Sequence, residues 1–367
     1  MKADFTVQAP SRSYPVFVRD GLPDDGFRQH LRSLDAGTPF LIIDQQAEKY
    51  YGEALRNLIY SRNDRSRTRV IPSGEASKSF DEWKKTTDFL LENGARRNTP
   101  VLAVGGGVTG DLAGFAAAAT MRGLPLIHIP TTLLAMVDSS IGGKTGINHA
   151  VGKNLVGSFY QPLAIFIHTG FLSTLPGNEW TNGLSEILKY AAIRRPAIFR
   201  TCRELFLEER VPHSDPKLVE LIRTCAKIKA DVVAADERES KLRMILNFGH
   251  TFAHSLENLG GYQNITHGEA VFIGMLAATH LSNTLSASID PEELILFRSL
   301  YSIDPEVAKW SVTDLIRGMY QDKKRSSDRL KVVLLQEWGT PYVTEVEDTA
   351  PVESAWKYAL KHFQFPG

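Results

Sequence analysis

Three histidines and one glutamate in the second half of the chain have the residue types and spacing of a divalent-metal site. His250 and His254 are four residues apart, so a helix would place both imidazoles on one face, and His267-Gly-Glu269 opens the next helical stretch. Zinc accepts imidazole and carboxylate ligands, and catalytic zinc sites keep one position open for a substrate oxygen. Spacing alone does not locate a further carboxylate, and pairing His250 with His254 competes with other pairings. Ordinary buried or surface histidines are the alternative interpretation.

Two polar segments have the composition of an oxyanion site. Asp138-Ser-Ser-Ile-Gly-Gly-Lys144 places a carboxylate, two hydroxyls and a lysine in a turn-rich stretch, and Gly152-Lys153-Asn154 adds a cation and an amide. Lysine and asparagine in one loop suit an oxyanion, whereas a solvated loop is the alternative. Glu186 and Lys189 lie three residues apart in a helical pattern, which by itself favours a solvent-exposed ion pair.

A glycine-rich segment, Gly105-Gly-Gly-Val-Thr-Gly-Asp111, joins an apolar run to a helical pattern. Glycines let a backbone approach a pyrophosphate closely, and the free amides at a helix N-terminus favour its charge. A plain tight turn is the alternative. The usual dinucleotide fingerprint also needs an acid about 20 residues later, and residues 125–135 contain none. Asp44 and Glu75 could bind ribose hydroxyls from other loops, although the local sequence favours helix capping and turn formation for them.

Hydrophobic patterns divide the chain into two parts at about residue 176. Short apolar runs predict strands at 40–44, 69–72, 101–104 and 126–129, and a helix is predicted over 80–93. This alternation predicts a parallel sheet covered by helices. In the second part, helical patterns cover 182–193, 196–209, 217–235, 242–259 and 267–286, followed by a strand at 331–335.

The composition is that of an ordinary globular protein. Its 367 residues are 43% hydrophobic, and 42 basic residues balance 42 acidic ones, which disfavours disordered, collagen-like and nucleic-acid-binding classes. Cys202 and Cys225 lack metal-ligand spacing and are interpreted as buried thiols. The first 15 residues lack a signal-peptide pattern, and the uncharged stretch 123–137 is too short to span a membrane. A cytoplasmic location is predicted.

Six separated motifs together resemble the 3-dehydroquinate synthase family of sugar phosphate cyclases, over about residues 44–339. They are Gly105-Gly-Gly-Val-Thr-Gly-Asp111, Pro130-Thr-Thr-Leu-Leu-Ala135, Val137-Asp-Ser-Ser-Ile-Gly-Gly-Lys-Thr145, Gly152-Lys-Asn154, Asn247-Phe-Gly-His-Thr251 and His267-Gly-Glu-Ala-Val271. The resemblance implies an NAD-binding α/β domain with a parallel sheet over residues 1–176. It also implies a mainly α-helical metal- and substrate-binding domain over 177–367, with the active site in the cleft between the two.

The resemblance also implies a role for individual residues. The implied metal ligands, for zinc or cobalt, are Glu186, His250 and His267. The implied NAD-binding residues are Asp44, Ser73, Gly74, Glu75, Lys78, Gly106, Gly107, Val108, Thr109, Gly110, Asp111, Thr131, Thr132, Asp138, Ser139, Lys144, Lys153, Phe171, Thr174 and Glu179. The implied catalytic and substrate-binding residues are Arg122, Lys144, Asn154, Lys189, Lys229, Glu239, Arg243, Asn247, His254 and Lys331.

The implied substrate is 3-deoxy-D-arabino-heptulosonate 7-phosphate, a phosphorylated sugar acid. The resemblance points to Arg243 chiefly for the carboxylate, to Asn154 and His254 for the phosphate, and less strongly to Lys331. It also implies that Arg122 reaches the phosphate in the neighbouring subunit of a homodimer. The implied enzyme is a phosphorus–oxygen lyase of the shikimate pathway of aromatic amino acid biosynthesis. It uses NAD for transient oxidation, elimination, reduction and intramolecular aldol closure. Neither a nucleic acid nor a membrane partner is implied.

Three alternatives make different demands. A cyclase for sedoheptulose 7-phosphate has no substrate carboxylate to bind, and Arg243 and Asn247 argue against it. A metal-dependent polyol dehydrogenase would accumulate reduced cofactor. A catalytically silent NAD-binding module would need no metal, which the joint presence of Glu186, His250 and His267 disfavours.

Overall fold

The structure is a computed structural model that describes residues 2–34, 37–61, 63, 65–208, 213, 215–261, 264–321 and 329–363. Its strands are β1 (Phe5–Gln8), β2 (Ser13–Arg19), β3 (Phe40–Asp44), β4 (Thr68–Ile71), β5 (Val101–Gly105), β6 (Leu126–Pro130), β7 (Lys144–His149), β8 (Gly152–Phe159), β9 (Ala164–His168), β10 (Leu330–Glu337) and β11 (Thr340–Val346). Its α-helices are α1 (Asp25–Ser33), α2 (Gln45–Tyr60), α3 (Phe80–Glu92), α4 (Gly107–Ala119), α5 (Gly177–Ile193), α6 (Ala197–Cys202), α7 (Pro216–Ala235), α8 (His250–Leu259), α9 (His267–Leu285), α10 (Glu292–Ile295), α11 (Val312–Gln321) and α12 (Thr349–Lys361).

The chain forms two compact units. The first contains Met1–Pro176 and His213–Arg238, and the second contains Gly177–Pro212 and Glu239–Gly367. The predicted class is confirmed, with a parallel-dominated α/β unit followed by a mainly helical one.

A seven-stranded sheet in the order β1-β2-β9-β6-β5-β3-β4 organises the first unit. All neighbouring strands are parallel except the edge pair β1–β2. Phe40, Ile42, Val101 and Leu126 are fully buried, as expected of parallel strands covered on both faces. The strands predicted at 40–44, 69–72, 101–104 and 126–129 are present, each within one residue at either end.

Helix α7 packs with the first unit, so the prediction that all of 177–367 forms the second domain is wrong for this segment. Its buried side chains include Leu218, Leu221, Ile222 and Cys225, and the helix contacts β1, β2 and the π-helical turn Ala135–Ser139. This apolar face is buried only if the chain returns to the first unit.

The helix predicted over 242–259 is interrupted. Leu242–Asn247 is a 3₁₀ helix, Phe248 and Gly249 form a break, and α8 begins at His250. Gly249 has φ +79°, and a Cβ there would lie 2.8 Å from the backbone nitrogen of Met275. Only glycine fits both conditions. The helix predicted over 196–209 is also irregular, because α6 continues as a π-helical turn, Arg203–Glu208, and residue 209 lies outside the described residues.

The second unit is built around α9. Fourteen of its nineteen residues are buried, because α5, α8 and α12 all pack against it. The predicted strand at 331–335 lies within β10, which pairs with β11 as an antiparallel hairpin. Across the part of the chain that the structure describes, no helix combines the length and apolar character needed to cross a membrane.

Two buried histidines in the sheet should make stability depend on pH. Burial lowers the pKa of His128 and of His168 to about 4, and their exposed fractions are 6% and 1%. Since an unfolded imidazole has a pKa of about 6.5, the unfolded chain binds more protons between these values, and stability falls as pH falls through this window. We expect up to about 2 kcal/mol of loss per imidazole between pH 6.5 and 5. Urea unfolding at several pH values measures the free energy of unfolding, which should depend less steeply on pH in His128→Leu than in the unmodified protein. An unchanged pH dependence would contradict the prediction.

Candidate active site

Glu186, His250 and His267 converge in the second unit. Glu186 is on α5, His250 is the first residue of α8, and His267 is the first residue of α9. Oε1 of Glu186 lies 3.4 Å from Nε2 of His250 and 3.2 Å from Nε2 of His267. One ligand atom from each of the three residues lies within 4.8 Å of the others, so a single cation can contact all three.

Local sequence explains why both imidazoles stand at helix starts. The left-handed conformation of Gly249 ends the preceding turn and lets α8 begin at His250. Thr266 caps α9 by accepting from the backbone N–H of Glu269, whose side chain accepts from the backbone N–H of Thr266. This capping box fixes the first turn of α9 and therefore the position of His267.

Gly268 holds α9 against α5. Its N–H donates to Oδ1 of Asn182 (2.9 Å), and its carbonyl accepts from the hydroxyl of Ser185 (2.6 Å). Ser185 is also 2.8 Å from the hydroxyl of Tyr301. These contacts set the spacing between Glu186 and His267, which are the chain neighbours of Ser185 and Gly268.

Gly268→Ala should destabilise the protein by about 1–3 kcal/mol, because a new methyl group would force the two helices apart. Its Cβ would lie 2.4 Å from Cα of Asn182, a backbone atom that cannot rotate away. Urea unfolding measures the change. Gly177→Ala, at the exposed start of α5 where a Cβ meets nothing within 4 Å, is the control and should leave stability nearly unchanged. Equal midpoints for the two variants would contradict this account.

Glu186, His250 and His267, called the triad below, have pKa values that burial and neighbouring charges shift from their usual values. Glu186 and Lys189 form an ion pair in which the side chains are 1% and 2% exposed, so the interpretation of this pair as solvent-exposed is wrong. Burial alone would raise the pKa of Glu186, but Lys189, His250 and His267 hold it well below its usual value. Burial lowers the pKa of His250. Burial also acts to lower the pKa of His267, but hydrogen bonds to Glu186 and Glu257 raise it to about 10.

In the first unit, predicted nucleotide-binding residues gather where parallel strands end. Asp44 ends β3, the segment 106–111 follows β5, and Thr131 and Thr132 follow β6. Gly74 and Phe171 lie in the segments after β4 and β9. Because the carboxyl ends of parallel strands share one edge of the sheet, these residues line the edge at which α/β proteins bind ligands.

The glycine turn is closely packed against its neighbours. A Cβ on Gly105 would lie 2.7 Å from Cβ of Thr109, and one on Gly107 would lie 3.1 Å from Oγ of Ser139. Ser139 Oγ is buried and has no hydrogen-bond partner among the described residues. Gly106 caps α4, whose first turn contains Val108, Thr109 and Gly110. The turn therefore presents the amide N–H groups of a helix start, the arrangement that binds phosphates.

Two polar clusters flank this turn. Asp44 caps α2, accepting from the backbone N–H of Gln46 (2.7 Å), and also accepts from the hydroxyl of Ser73 at 3.1 and 3.0 Å. Capping therefore occurs as the alternative interpretation expected. Glu75 accepts from Nδ2 of Asn148 (2.7 Å) and lies 3.7 Å from Nζ of Lys153.

Lysines connect further predicted residues in the first unit. Lys78 is buried and donates to both Asp111 and Asn154. Burial raises the pKa of Asp111, although Lys78 favours its charged form. Lys229, on α7, donates to Asp138 through its carboxylate (2.7 Å) and its backbone carbonyl (2.8 Å). The return of α7 to the first unit creates this contact.

Comparisons with known proteins fit both halves of this arrangement. A family described as 3-dehydroquinate synthase N-terminal matches residues 68–182, and one described as 3-dehydroquinate synthase C-terminal matches residues 183–325. The 3-dehydroquinate synthase of Salinibacter ruber is 43% identical over 368 residues, covering 96% of this chain and 100% of the relative. That of Rippkaea orientalis is 37% identical, covering 95% and 96%.

The chain belongs to the 3-dehydroquinate synthase family. The predicted membership of this family, and with it the prediction of an enzyme, is confirmed.

Solved structures of other sugar cyclases share the fold. A 2-deoxy-scyllo-inosose synthase complexed with carbaglucose-6-phosphate, NAD⁺ and Co²⁺ is 25% identical with a TM-score of 0.80, covering 96% of this chain and 99% of that chain. A 2-epi-5-epi-valiolone synthase from Streptomyces hygroscopicus with NAD⁺ and Zn²⁺ bound is 25% identical with a TM-score of 0.83, covering 95% and 97%.

The remaining residues that the 3-dehydroquinate synthase resemblance singled out are spread over both units. In the second unit, Arg243 is 2% exposed, Asn247 donates to Glu239 (2.7 Å), and the His254 ring lies 5.9 Å from that of His250. His254 is therefore beside the triad without belonging to it. Lys331 is on β10, and its backbone carbonyl accepts from Thr251 at 3.4 Å.

Four others have exposed or half-buried side chains. Glu179 is in the first turn of α5, in the second unit, apart in sequence from the other NAD candidates. In the first unit, Lys144 is exposed at the start of β7, and Thr174 is exposed but bonded to the hydroxyl of Tyr51 (2.8 Å). Arg122 is exposed in a segment where Met121, Arg122 and Gly123 all have positive φ.

Sequence reasoning missed several residues that position this site. Asn182 and Ser185 hold Gly268, Asn148 bonds Glu75, and Glu257 contacts His267. Most of these side chains touch partners far away in sequence, so spacing carries no signal for them. The exception is Glu257, which lies seven residues after His250 on the same helical pattern.

Proposed function

We propose that this chain converts 3-deoxy-D-arabino-heptulosonate 7-phosphate to 3-dehydroquinate and phosphate, with NAD and one divalent cation, zinc or cobalt, as cofactors. The convergence of Glu186, His250 and His267 in a member of the 3-dehydroquinate synthase family carries the proposal. The relatives' names support this activity for the chain. The triad supports the metal requirement, because one carboxylate and two imidazoles suit either zinc or cobalt.

The donor set fits a cation in its details. Nδ1 of His250 is 3.2 Å from the carbonyl of Phe248, and Nδ1 of His267 is 3.2 Å from Oε1 of Glu257. Metal-ligating imidazoles usually have such an oxygen acceptor on the other ring nitrogen. When bound, the cation would lower the pKa of a substrate hydroxyl while NAD takes up and returns hydride, so phosphate is lost without net redox change.

The chain's own residues would bind and orient the substrate and cofactor. Lys189 keeps Glu186 ionised and therefore able to bind a cation. In the first unit, the amides of the glycine turn suit the NAD pyrophosphate, and the Asp44 carboxylate suits a ribose hydroxyl. Arg243 and Asn154 would bind the substrate carboxylate and phosphate, since guanidinium and amide donors match oxyanions.

The proposal includes a homodimer in the cytoplasm. Arg122 would reach the phosphate bound by the partner subunit. Its φ of +64° next to Met121 at +54° supports this role, because non-glycine residues in the left-handed region are strained and concentrate at functional sites. Cys202 and Cys225 are buried thiols that are not joined in a disulfide, which agrees with a reducing compartment.

A phosphate-release assay tests the proposal. The purified chain is mixed with the heptulosonate phosphate, with and without NAD and with and without a chelator. We expect stoichiometric phosphate and 3-dehydroquinate, no accumulation of NADH, and loss of turnover when either NAD or metal is removed. NADH accumulating with product and without phosphate release would identify a polyol dehydrogenase. Equal turnover of sedoheptulose 7-phosphate would identify a different cyclase.

A further inference from the structure

Glu257, on α8, contacts the imidazole of His267, the triad residue at the start of α9. It is near the end of α8, is 8% exposed, and places Oε1 3.2 Å from Nδ1 of His267, the first residue of α9. Neither the helix caps nor the contacts between α5 and α9 require this carboxylate. A buried carboxylate in contact with the second nitrogen of a ligand histidine is the arrangement that orients metal-binding imidazoles.

The hydrogen on His267 follows from what each neighbour can accept. An ionised carboxylate only accepts hydrogen bonds, so the contact with Glu257 requires Nδ1 of His267 to donate. In the neutral imidazole that a cation requires, Nδ1 keeps its hydrogen and the lone pair is on Nε2, the atom that lies 3.2 Å from Oε1 of Glu186. The carbonyl of Phe248 has the same effect on His250, whose Nε2 also faces Glu186.

We infer that Glu257 is a positioning residue that fixes the ring orientation and Nδ1–H tautomer of His267 and strengthens Nε2 as a metal ligand. This inference rests on the proposed metal centre. His250 has a neutral carbonyl at its second nitrogen, whereas His267 has a carboxylate, so removal of the carboxylate charge acts on one ligand of the three. Carboxylate partners of this kind typically change metal affinity about 10- to 100-fold.

Cobalt binding separates this role from a structural one. Co²⁺ is titrated into the metal-free full chain, into Glu257→Gln and into Glu237→Gln, and both the dissociation constant and the visible d–d spectrum are recorded. We expect Glu257→Gln to bind about 10- to 100-fold more weakly with a shifted spectrum. Glu237→Gln is the matched control, because Glu237 is also 8% exposed but lies in the first unit, where its carboxylate accepts from Ser11 and Gln161. It should keep the dissociation constant within about threefold and leave the spectrum unchanged.

Other outcomes overturn the inference in distinguishable ways. If unmodified protein binds no cobalt, the metal centre and the proposed function fail together. If the unmodified protein binds cobalt and Glu257→Gln matches it in affinity and spectrum, only the role of Glu257 fails, and equal losses in the two variants would have the same meaning. Should Glu257→Gln not fold, ¹⁵N spectroscopy of the zinc-loaded unmodified protein tests the tautomer of His267. A hydrogen on Nε2 instead of Nδ1 would overturn the inference.

Discussion

Glu186→Gln should abolish tight metal binding and lower turnover by at least about 1,000-fold, equivalent to about 4 kcal/mol of transition-state stabilisation. The amide keeps the shape of the side chain but removes the charged ligand from a set of three. It also leaves Lys189, which is 2% exposed, without its carboxylate partner. Breaking a buried pair in this way costs about 3–5 kcal/mol of stability. We therefore expect a lower unfolding midpoint together with the loss of metal.

Two further variants separate these effects. Glu186→Gln combined with Lys189→Met removes both buried charges and should recover much of the stability without recovering metal binding. Glu353→Gln, which breaks an exposed ion pair with Lys357 in the same unit, should change neither property measurably. Cobalt titration, phosphate release and urea unfolding measure the three quantities. Cobalt binding by Glu186→Gln at the unmodified affinity would show that the triad is not the metal site.

The strands that sequence predicted best are those buried on both faces. Phe40–Asp44 and Val101–Gly105 are continuous apolar runs in the middle of a parallel sheet, so their pattern needs no partner to be recognised. Strand β2 carries Pro15 and an exposed Ser13, and β1 has only one buried residue. Their stability comes from pairing with β9 and with each other, which local sequence does not display.

The predictions of helix boundaries and of domain membership were wrong where tertiary contacts determine them. The apolar face of α7 predicts a helix correctly, but nothing in its own sequence says which unit buries that face. Likewise, the break before His250 depends on Gly249 packing against Met275 on another helix. A helical pattern running through 242–259 contains no sign of that approach.

The candidate site shows the same division between local and distant information. Spacing identified His250, His254 and His267 as candidate ligands but did not show which two bind together. His250 and His254 lie on one helix face, so they could themselves form the ligand pair. The packing of both α5 and α8 against α9 brings Glu186 to His250 and His267. The family resemblance identified Glu186, His250 and His267 as the ligands, whereas the spacing of residues within each helix did not.

Arg243 offers the test of substrate class. Its side chain is 2% exposed within the 3₁₀ helix Leu242–Asn247, seven residues before His250. A substrate carboxylate matches the planar donors of a guanidinium in two parallel hydrogen bonds. The proposed heptulosonate phosphate carries that carboxylate, whereas sedoheptulose 7-phosphate does not.

Arg243→Ala should therefore lower kcat/KM for the heptulosonate phosphate by about 100- to 1,000-fold, because losing one partner of a buried charged contact costs about 3–4 kcal/mol. The NAD dissociation constant should change by less than about threefold, since the nucleotide candidates other than Glu179 lie in the first unit. Steady-state kinetics and NAD titration measure the two effects. Arg317→Ala, which removes an exposed arginine paired with Asp314, is the control and should affect neither. A parallel loss of NAD binding in Arg243→Ala would contradict its role in carboxylate recognition, because it would indicate general disruption instead.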